Sequence, residues 1–297
     1  MEKTPLVLAA LLTAVAVPDV RGGGGAMADP ESELLIERLQ NESSGNLSAL
    51  IEEAEGNRAK VDEALRAEIA GEIAKAALGS DDQVERENAT RYLMDEVHSS
   101  DSTAAKEFAL RTLLGFRAAD FSDAERQRIA DQIHMMPPSP LYSRLAGVAQ
   151  AERAVPILQQ FTDSANFGSL DPARAENDLA WSSMVALARM GDATILDRVI
   201  KRVEATEDPT DRAVFMFREV AFTARSEALN WLVDQLGDMN KLPPLKGGPG
   251  TPVAWYAARA ILSVTVGGPD IIAMSEEEGA AAVNAWAKSL TEWPILR

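Results

Sequence analysis

The clearest pattern in the chain is a series of apolar stripes at helical spacing in its second half. Trp181, Met184, Val185 and Ala188 lie at positions i, i+3, i+4 and i+7, which places them on one face of a helix. The later stripes are Leu196, Val199, Ile200 and Val203; Ala213, Met216, Phe217 and Val220; Leu229, Leu232, Val233 and Leu236; and Ala254, Ala257, Ala258 and Ile261. The pattern predicts five consecutive amphipathic helices.

Helix-start signals recur ahead of these stripes. Four dipeptides, separated by 32, 37 and 43 residues, pair a capping residue with proline: Ser139-Pro140, Asp171-Pro172, Asp208-Pro209 and Thr251-Pro252. A capping side chain accepts a hydrogen bond from a free N–H, and proline fits the first helical position, where no N–H is needed. Asp192 and Ser226 are predicted to cap the second helices of two successive pairs, and Gly191 and Gly237 to end helices. This period is typical of stacked helix pairs.

Two short segments resemble a known repeat family. Residues 186–193 (ALARMGDA), followed by Ile195 and Leu196, resemble the joint between the two helices of a HEAT repeat. Residues 154–158 (AVPIL) are similar to the start of the second helix of such a repeat. The resemblance covers residues 139–266 and implies an α-solenoid with a binding surface, and no particular chemistry.

The expected fold is therefore all-α, an α-α superhelix (a HEAT/armadillo-like solenoid) of about 14 helices. An irregular bundle of helices of similar length is the alternative. Residues 29–138 are also helical by pattern, with predicted caps at Asn46, Ser80 and Ser122, but they lack the regular openings. They are either diverged repeats or a separate N-terminal cap, and residues 139–297 form the HEAT-like helical repeats.

Residues 1–28 have the pattern of a signal peptide. A weakly positive start with Lys3 precedes an apolar run over residues 6–17, which is too short to span a bilayer as a mature helix. Ala26 and Ala28 fit the small-x-small rule for cleavage after Ala28, and cleavage after Ala16 is a second option. We therefore expect a periplasmic or secreted protein. The alternative is an N-terminal arm or an uncleaved anchor.

Composition narrows the classes of partner. Lys and Arg number 29 against 46 Asp and Glu, which gives a net charge of −17 and disfavours nucleic acid and anionic lipid as partners. The charge is explained either by solubility alone or by a basic partner. The chain contains no cysteine, so disulfides, cysteine nucleophiles and thiolate metal sites are excluded.

Candidate chemistry is sparse. The two histidines, His98 and His134, lie at predicted helix ends, and His98 has acidic neighbours but no ligand spacing of the HExxH type. The glycine-rich stretch at residues 247–250 follows no predicted strand, so it is a weak phosphate site. Catalytic, cofactor-binding and metal-binding residues are therefore predicted as none, and no cofactor is expected.

Two features remain as candidate surfaces. Most of the five tryptophans are expected in the core between repeats, while a solvent-facing subset would indicate a peptide or glycan surface. Residues 239–251 form the longest insertion rich in helix breakers, and insertions in solenoids often project from the binding face.

The function expected from these patterns is a non-catalytic scaffold that binds a protein or peptide partner. One alternative is an enzyme or enzyme subunit, because some HEAT-like proteins are related to lyases. The other is a structural module of an envelope assembly.

Overall fold

The structure, a computed structural model, describes residues 30–41, 46–58, 61, 63–101, 103–135, 138–163, 170–243 and 250–295. Apart from one short ribbon, these residues are all-α, as the apolar stripes predict. None of their helices is long and apolar enough to cross a bilayer. The predicted signal peptide at residues 1–28 lies outside the described residues.

Fifteen α-helices are found in the described residues. In chain order they are α1 (Pro30–Asn41), α2 (Leu47–Asn57), α3 (Glu63–Gly79), α4 (Gln83–Ser99), α5 (Thr103–Leu113), α6 (Asp123–Ile133), α7 (Pro140–Ala149), α8 (Val155–Asp163), α9 (Leu179–Arg189), α10 (Ala193–Glu204), α11 (Pro209–Asp211), α12 (Phe217–Phe222), α13 (Ser226–Gln235), α14 (Val253–Leu262) and α15 (Glu276–Ser289). The two strands of the ribbon, β1 (Lys241–Leu242) and β2 (Thr251–Pro252), are antiparallel.

Tertiary contacts divide the chain into two units, Met1–Ile129 and Ala130–Arg297. Consecutive helices from α1 to α5 of the first unit pack against each other, and α1 also contacts α3, α2 contacts α4 and α3 contacts α5. Fully buried aliphatic side chains such as Leu50, Ile73 and Leu93 fill the space between them. This sequential packing is the arrangement that stacked helices adopt.

Helix α9 is the centre of the second unit. It packs against α7, α8, α10 and α12, and all eight residues from Trp181 to Ala188 are buried. The predicted stripe occupies one side of α9, and small residues such as Ala186 cover the opposite side. The helix is therefore enclosed on several sides, which an amphipathic pattern alone does not predict.

Three predicted helix caps are confirmed, those of Ser122, Asp192 and Asp208, and a fourth, Asp171, begins a different element. The Asp192 carboxylate accepts hydrogen bonds from the N–H groups at the start of α10, and Asp208 does the same at α11. Asp171-Pro172, however, opens a 3-10 helix (Pro172–Asn177) instead of the helix that carries Trp181. The true cap of α9 is Asp178, which accepts a hydrogen bond from the N–H of Trp181 at 2.8 Å.

Other predicted caps are wrong. Ser80 donates its hydroxyl to the Glu85 carboxylate, and Asp82 caps α4 in its place. Ser226 is the first residue of α13, not its cap. Thr251-Pro252 forms β2, and the Thr251 hydroxyl donates to Glu276 at 3.0 Å. The stripe after it is still buried, since Ala254, Ala257, Ala258 and Ile261 are all fully enclosed.

The helix that begins at Asp208 contains one wide turn. Residues Arg212–Met216 form a π-helical turn between α11 and α12. Such a turn accommodates an extra residue and rotates the next turn of helix around the axis. The predicted stripe of Ala213, Met216, Phe217 and Val220 is nevertheless buried along its whole length.

Side-chain hydrogen bonds in both units join residues about one helix pair apart. Arg58 donates to the carbonyl of Tyr92 and Arg86 to Asp120, each across 34 positions. In the second unit Arg144 donates to Ser182 across 38 positions, and Arg189 donates to the carbonyl of Phe222 across 33. These separations are close to the intervals between the cap-proline openings.

Helix α6 begins with a capping box that has a buried carboxylate. The N–H and hydroxyl of Ser122 donate to Oε2 of Glu125 at 2.7 and 2.8 Å. The Oε1 atom of Glu125 is buried beside the Thr90 hydroxyl, which donates to the main-chain oxygens of Glu87 and Asp120. Burial therefore raises the pKa of Glu125 above its ordinary value of 4.5.

Replacing Glu125 with glutamine is expected to stabilise the protein at neutral pH. Because its pKa is raised in the folded state, the stability linked to Glu125 is present below pH 4.5 and is lost as the pH rises through the folded pKa. Glutamine retains an acceptor for Ser122 but carries no charge. At pH values above the folded pKa of Glu125, thermal unfolding followed by circular dichroism should show a higher Tm for Glu125→Gln than for the wild type.

Glu278 provides a matched control, since it closes the same capping box with Ser275 at the exposed start of α15. Hydrogen bonds from Ser275 lower the pKa of Glu278, so its contribution is present above pH 4.5 and is lost as the pH falls. Glu278→Gln should therefore show no gain at neutral pH. If both variants shifted the Tm in the same direction, the explanation by burial would be wrong.

Candidate binding groove

The second unit contains a buried ion pair between Arg144 of α7 and Glu219 of α12. Only 5% of the Arg144 side chain and 3% of the Glu219 side chain are exposed. The Arg144 guanidinium donates to Oε2 of Glu219, and its Nε–H donates to the Ser182 hydroxyl at 3.0 Å. The indole N–H of Trp181 donates to the same Oε2 atom at 2.8 Å. One carboxylate oxygen therefore joins α7, α9 and α12.

Neighbouring side chains extend this cluster within the protein. The Ser183 hydroxyl lies 3.3 Å from that of Ser143 and donates to the carbonyl of Leu179 at 2.7 Å. The guanidinium groups of Arg144 and Arg189 lie 5.0 and 5.2 Å from the centre of the Phe222 ring. These contacts fix the packing of three helices, which is a structural role.

A separate, solvent-accessible groove lies between α13, α15 and the C-terminal segment. We call it the C-terminal groove, and its volume is about 560 Å³. Its lining residues are Ser226, Asn230, Ala287, Leu290, Thr291, Glu292, Trp293 and Ile295. The segment that forms one wall is held in place by main-chain contacts, since the N–H of Val266 donates to the carbonyl of Pro294 at 2.9 Å.

Trp293 has a fixed orientation in this groove. Its indole N–H donates to Oδ1 of Asn230 at 2.9 Å, and its ring makes an edge contact with Trp286 at a centroid distance of 5.9 Å. The expectation that most tryptophans are fully in the core is only partly met. Trp181 is fully buried, whereas the other four, Trp231, Trp255, Trp286 and Trp293, remain partly exposed.

Several polar groups of the groove make no side-chain contact within the described part of the protein. The hydroxyls of Ser226 and Thr291 and the carboxylate of Glu292 have no hydrogen-bond or ion-pair partner there. Asn230 uses its oxygen for Trp293, which leaves its amide nitrogen available to donate. The groove therefore combines apolar side chains with donors and acceptors that solvent or a ligand can reach.

The long insertion is anchored at its base. Strands β1 and β2 pair, and Lys241 forms an ion pair with Glu277 of α15 at 2.9 Å. At Gly250 an added Cβ would lie 2.4 Å from the carbonyl oxygen of Leu242, so a side chain does not fit there. The insertion thus begins and ends beside the start of α15, and residues 244–249 lie outside the described residues.

Both histidines lie at helix ends. His98 belongs to the first unit, and His134 follows the division between the two units by a few residues. Nδ1 of His98 lies 2.6 Å from the carbonyl oxygen of Met94, and His134 lies in the turn that ends α6. Among the residues that the structure describes, no group of three or more acidic or histidine side chains is placed to hold a metal ion.

No protein-family model, curated protein or solved structure matches this sequence. The resemblance to HEAT repeats therefore rests on the segments in this chain alone, while the all-α fold and its sequential packing rest on the structure.

Neither the buried ion pair nor the groove was predicted from the sequence. A signal for the first was present, because Arg144 is the single charged residue in the ten residues of α7. A charge in the middle of an apolar helix requires a buried partner or a route to solvent. The groove left no such signal, since Ser226 and Asn230 of α13 are about 60 positions away in the sequence from the lining residues 287–295.

Proposed function

We propose that this protein is a HEAT-like helical-repeat scaffold that binds a protein or peptide partner and has no catalytic role of its own. The sequential packing of helices in each unit supports the repeat architecture. So do the side-chain hydrogen bonds that join residues 33 to 38 positions apart. Helical repeats of this kind present extended surfaces that are formed before a ligand arrives.

The observation that carries the binding role is the C-terminal groove. Its partly exposed Trp293 is oriented by Asn230, and the polar side chains of Ser226, Thr291 and Glu292 are available to a ligand. Tryptophan combines a large apolar surface with little conformational freedom, and it is enriched in the energetically important centres of protein interfaces. An open groove of this composition suits a segment of another chain.

We further propose that the protein acts in the periplasm or after secretion, as the signal-peptide pattern of residues 1–28 indicates. The net charge of −17 favours a basic partner over nucleic acid or an anionic membrane. Charge of this kind speeds encounter with an oppositely charged partner and is screened by salt.

The test is to capture partners from envelope and secreted fractions with the purified protein and to measure association by surface plasmon resonance. The association rate should fall with added salt, because the Debye length decreases from ~10 Å at 0.1 M to ~3 Å at 1 M. Duplex DNA should not compete. A salt-independent association rate would remove the electrostatic part of the proposal, and turnover of a small substrate by the purified protein would overturn the scaffold role.

A further inference from the structure

We infer that the C-terminal groove binds a lysine- or arginine-bearing segment of the partner, with the cationic group placed between Glu292 and Trp293. This inference rests on the proposed partner-binding function and specifies its site. It follows from the charge of the groove, from the apolar side chains beside Glu292 and from the fixed position of Trp293.

Charge is the first argument. Among the described residues that line the groove, Glu292 is the charged one, and its carboxylate has no partner in the described part of the chain. The chain as a whole carries a net charge of −17. An acidic or phosphorylated segment would therefore be repelled both locally and at long range, whereas a cation would be attracted.

The apolar surface selects the kind of cation. Ala287, Leu290 and Ile295 line the groove beside Glu292, and all three are only partly buried. Lysine and arginine pack their aliphatic stems on apolar surface while keeping the charged end near a carboxylate or water. A small inorganic cation would gain nothing from these three side chains, and a neutral segment would leave Glu292 unpaired.

The indole of Trp293 has a fixed position in the groove. The hydrogen bond to Asn230 and the edge contact with Trp286 hold its indole in place before any ligand binds. A cation close to an indole is attracted by the negative potential of the ring face, and tryptophan is the strongest partner of this type. Preorganised side chains lose less conformational entropy on binding.

The groove can be tested with a defined probe. The acetylated and amidated tripeptide lysyl-leucyl-lysine would be titrated at low salt, while the five tryptophan indole N–H resonances are monitored by proton–nitrogen NMR. The Trp293 resonance, assigned from the Trp293→Phe variant, should shift in a saturable way. The resonance of the buried Trp181 should remain unchanged.

Two variants that each remove one negative charge distinguish the contribution of the groove to binding from that of the net charge of the chain. Glu292→Gln should weaken binding of the probe about two- to fivefold, as the loss of one exposed ion pair does. Glu207→Gln removes the same charge at an exposed residue that does not line the groove, and it should leave the affinity unchanged.

The inference is overturned if Trp293 shows no saturable shift, if glutamyl-leucyl-glutamate shifts it equally, or if Glu207→Gln weakens binding as much as Glu292→Gln. A natural partner that is captured normally by the Glu292→Gln protein and leaves the Trp293 resonance unchanged would place the binding site elsewhere. That result would refute the groove assignment while the scaffold function stands.

Discussion

Replacing Glu219 with alanine is expected to destabilise the second unit by about 3–5 kcal/mol, which is the cost of removing one member of a buried ion pair. The substitution leaves the buried guanidinium of Arg144 without its carboxylate and the indole N–H of Trp181 without the acceptor at 2.8 Å. The Arg144 guanidinium would keep its hydrogen bond to Ser182 and its contact with Phe222, but its buried charge would lose its counter-charge. Since one carboxylate oxygen joins three helices, its loss should affect the whole unit.

This effect can be measured selectively, because all five tryptophans lie in the second unit: Trp181, Trp231, Trp255, Trp286 and Trp293. Urea unfolding monitored by tryptophan fluorescence therefore reports on residues 130–297. The control is Arg218→Ala, which removes a guanidinium that is 46% exposed and lies 3.7 Å from Oε1 of Glu219. Because the Arg218 guanidinium is partly in solvent and lies 3.7 Å from the carboxylate, this pair should contribute at most about 1 kcal/mol, so the two variants should differ clearly.

A double substitution tests the physical reason. Replacing both Arg144 and Glu219 with leucine removes the charges together, and apolar replacements of a buried pair are often neutral or stabilising. The double variant should therefore be more stable than Glu219→Ala alone. If Glu219→Ala lost no more than Arg218→Ala, the ion pair would not be a centre of stability.

The helix faces were predictable because burial follows the helical period. The stripes of α10, α12 and α14 were assigned from spacing alone, and nearly all of their residues are buried in the structure. The extent of burial was not predictable in the same way. Helix α9 is enclosed by several neighbours, and the number of neighbours depends on the tertiary arrangement, which a periodicity does not contain.

The helix starts were less predictable, because a cap is a local signal that tertiary contacts can override. Asp171 does accept a hydrogen bond from the N–H of Ala173, but the element that it caps is a 3-10 helix. Helix α9 begins later and has its own cap, Asp178. Thr251 carries the same signal, but its hydroxyl donates to Glu276 and its main chain pairs with β1. Identical signals thus give different elements, depending on partners distant in the sequence.

The C-terminal groove was beyond sequence reasoning for a related reason. Asn230 and Trp293 are 63 positions apart, and no pattern indicates that the amide of one orients the indole of the other. From the sequence, Trp293 could be expected only to lie either in the core or on the surface. Sequence patterns can predict which side chains are buried, but they do not predict which polar groups remain available beside them.

Helices α7 and α9 lie close together at Gly147, and Gly147→Ala is expected to destabilise the second unit by about 1–3 kcal/mol through overpacking. An added Cβ would lie 2.7 Å from Cα and 3.0 Å from Cβ of Ala186, so it would meet main chain, which cannot rotate away. The helices would have to separate. This loss should exceed the ~1 kcal/mol that alanine gains over glycine in a helix.

Gly56 provides the matched control, because it lies within α2, is exposed and has no heavy atom within 4 Å of an added Cβ. Gly56→Ala should therefore show the gain from helix propensity without a steric cost, up to about 1 kcal/mol. Thermal unfolding by circular dichroism would compare both variants, and tryptophan fluorescence would monitor Gly147→Ala in the second unit. Equal stabilisation by the two substitutions would mean that α7 and α9 do not pack at the distance observed, and the enclosed position of α9 would then be wrong.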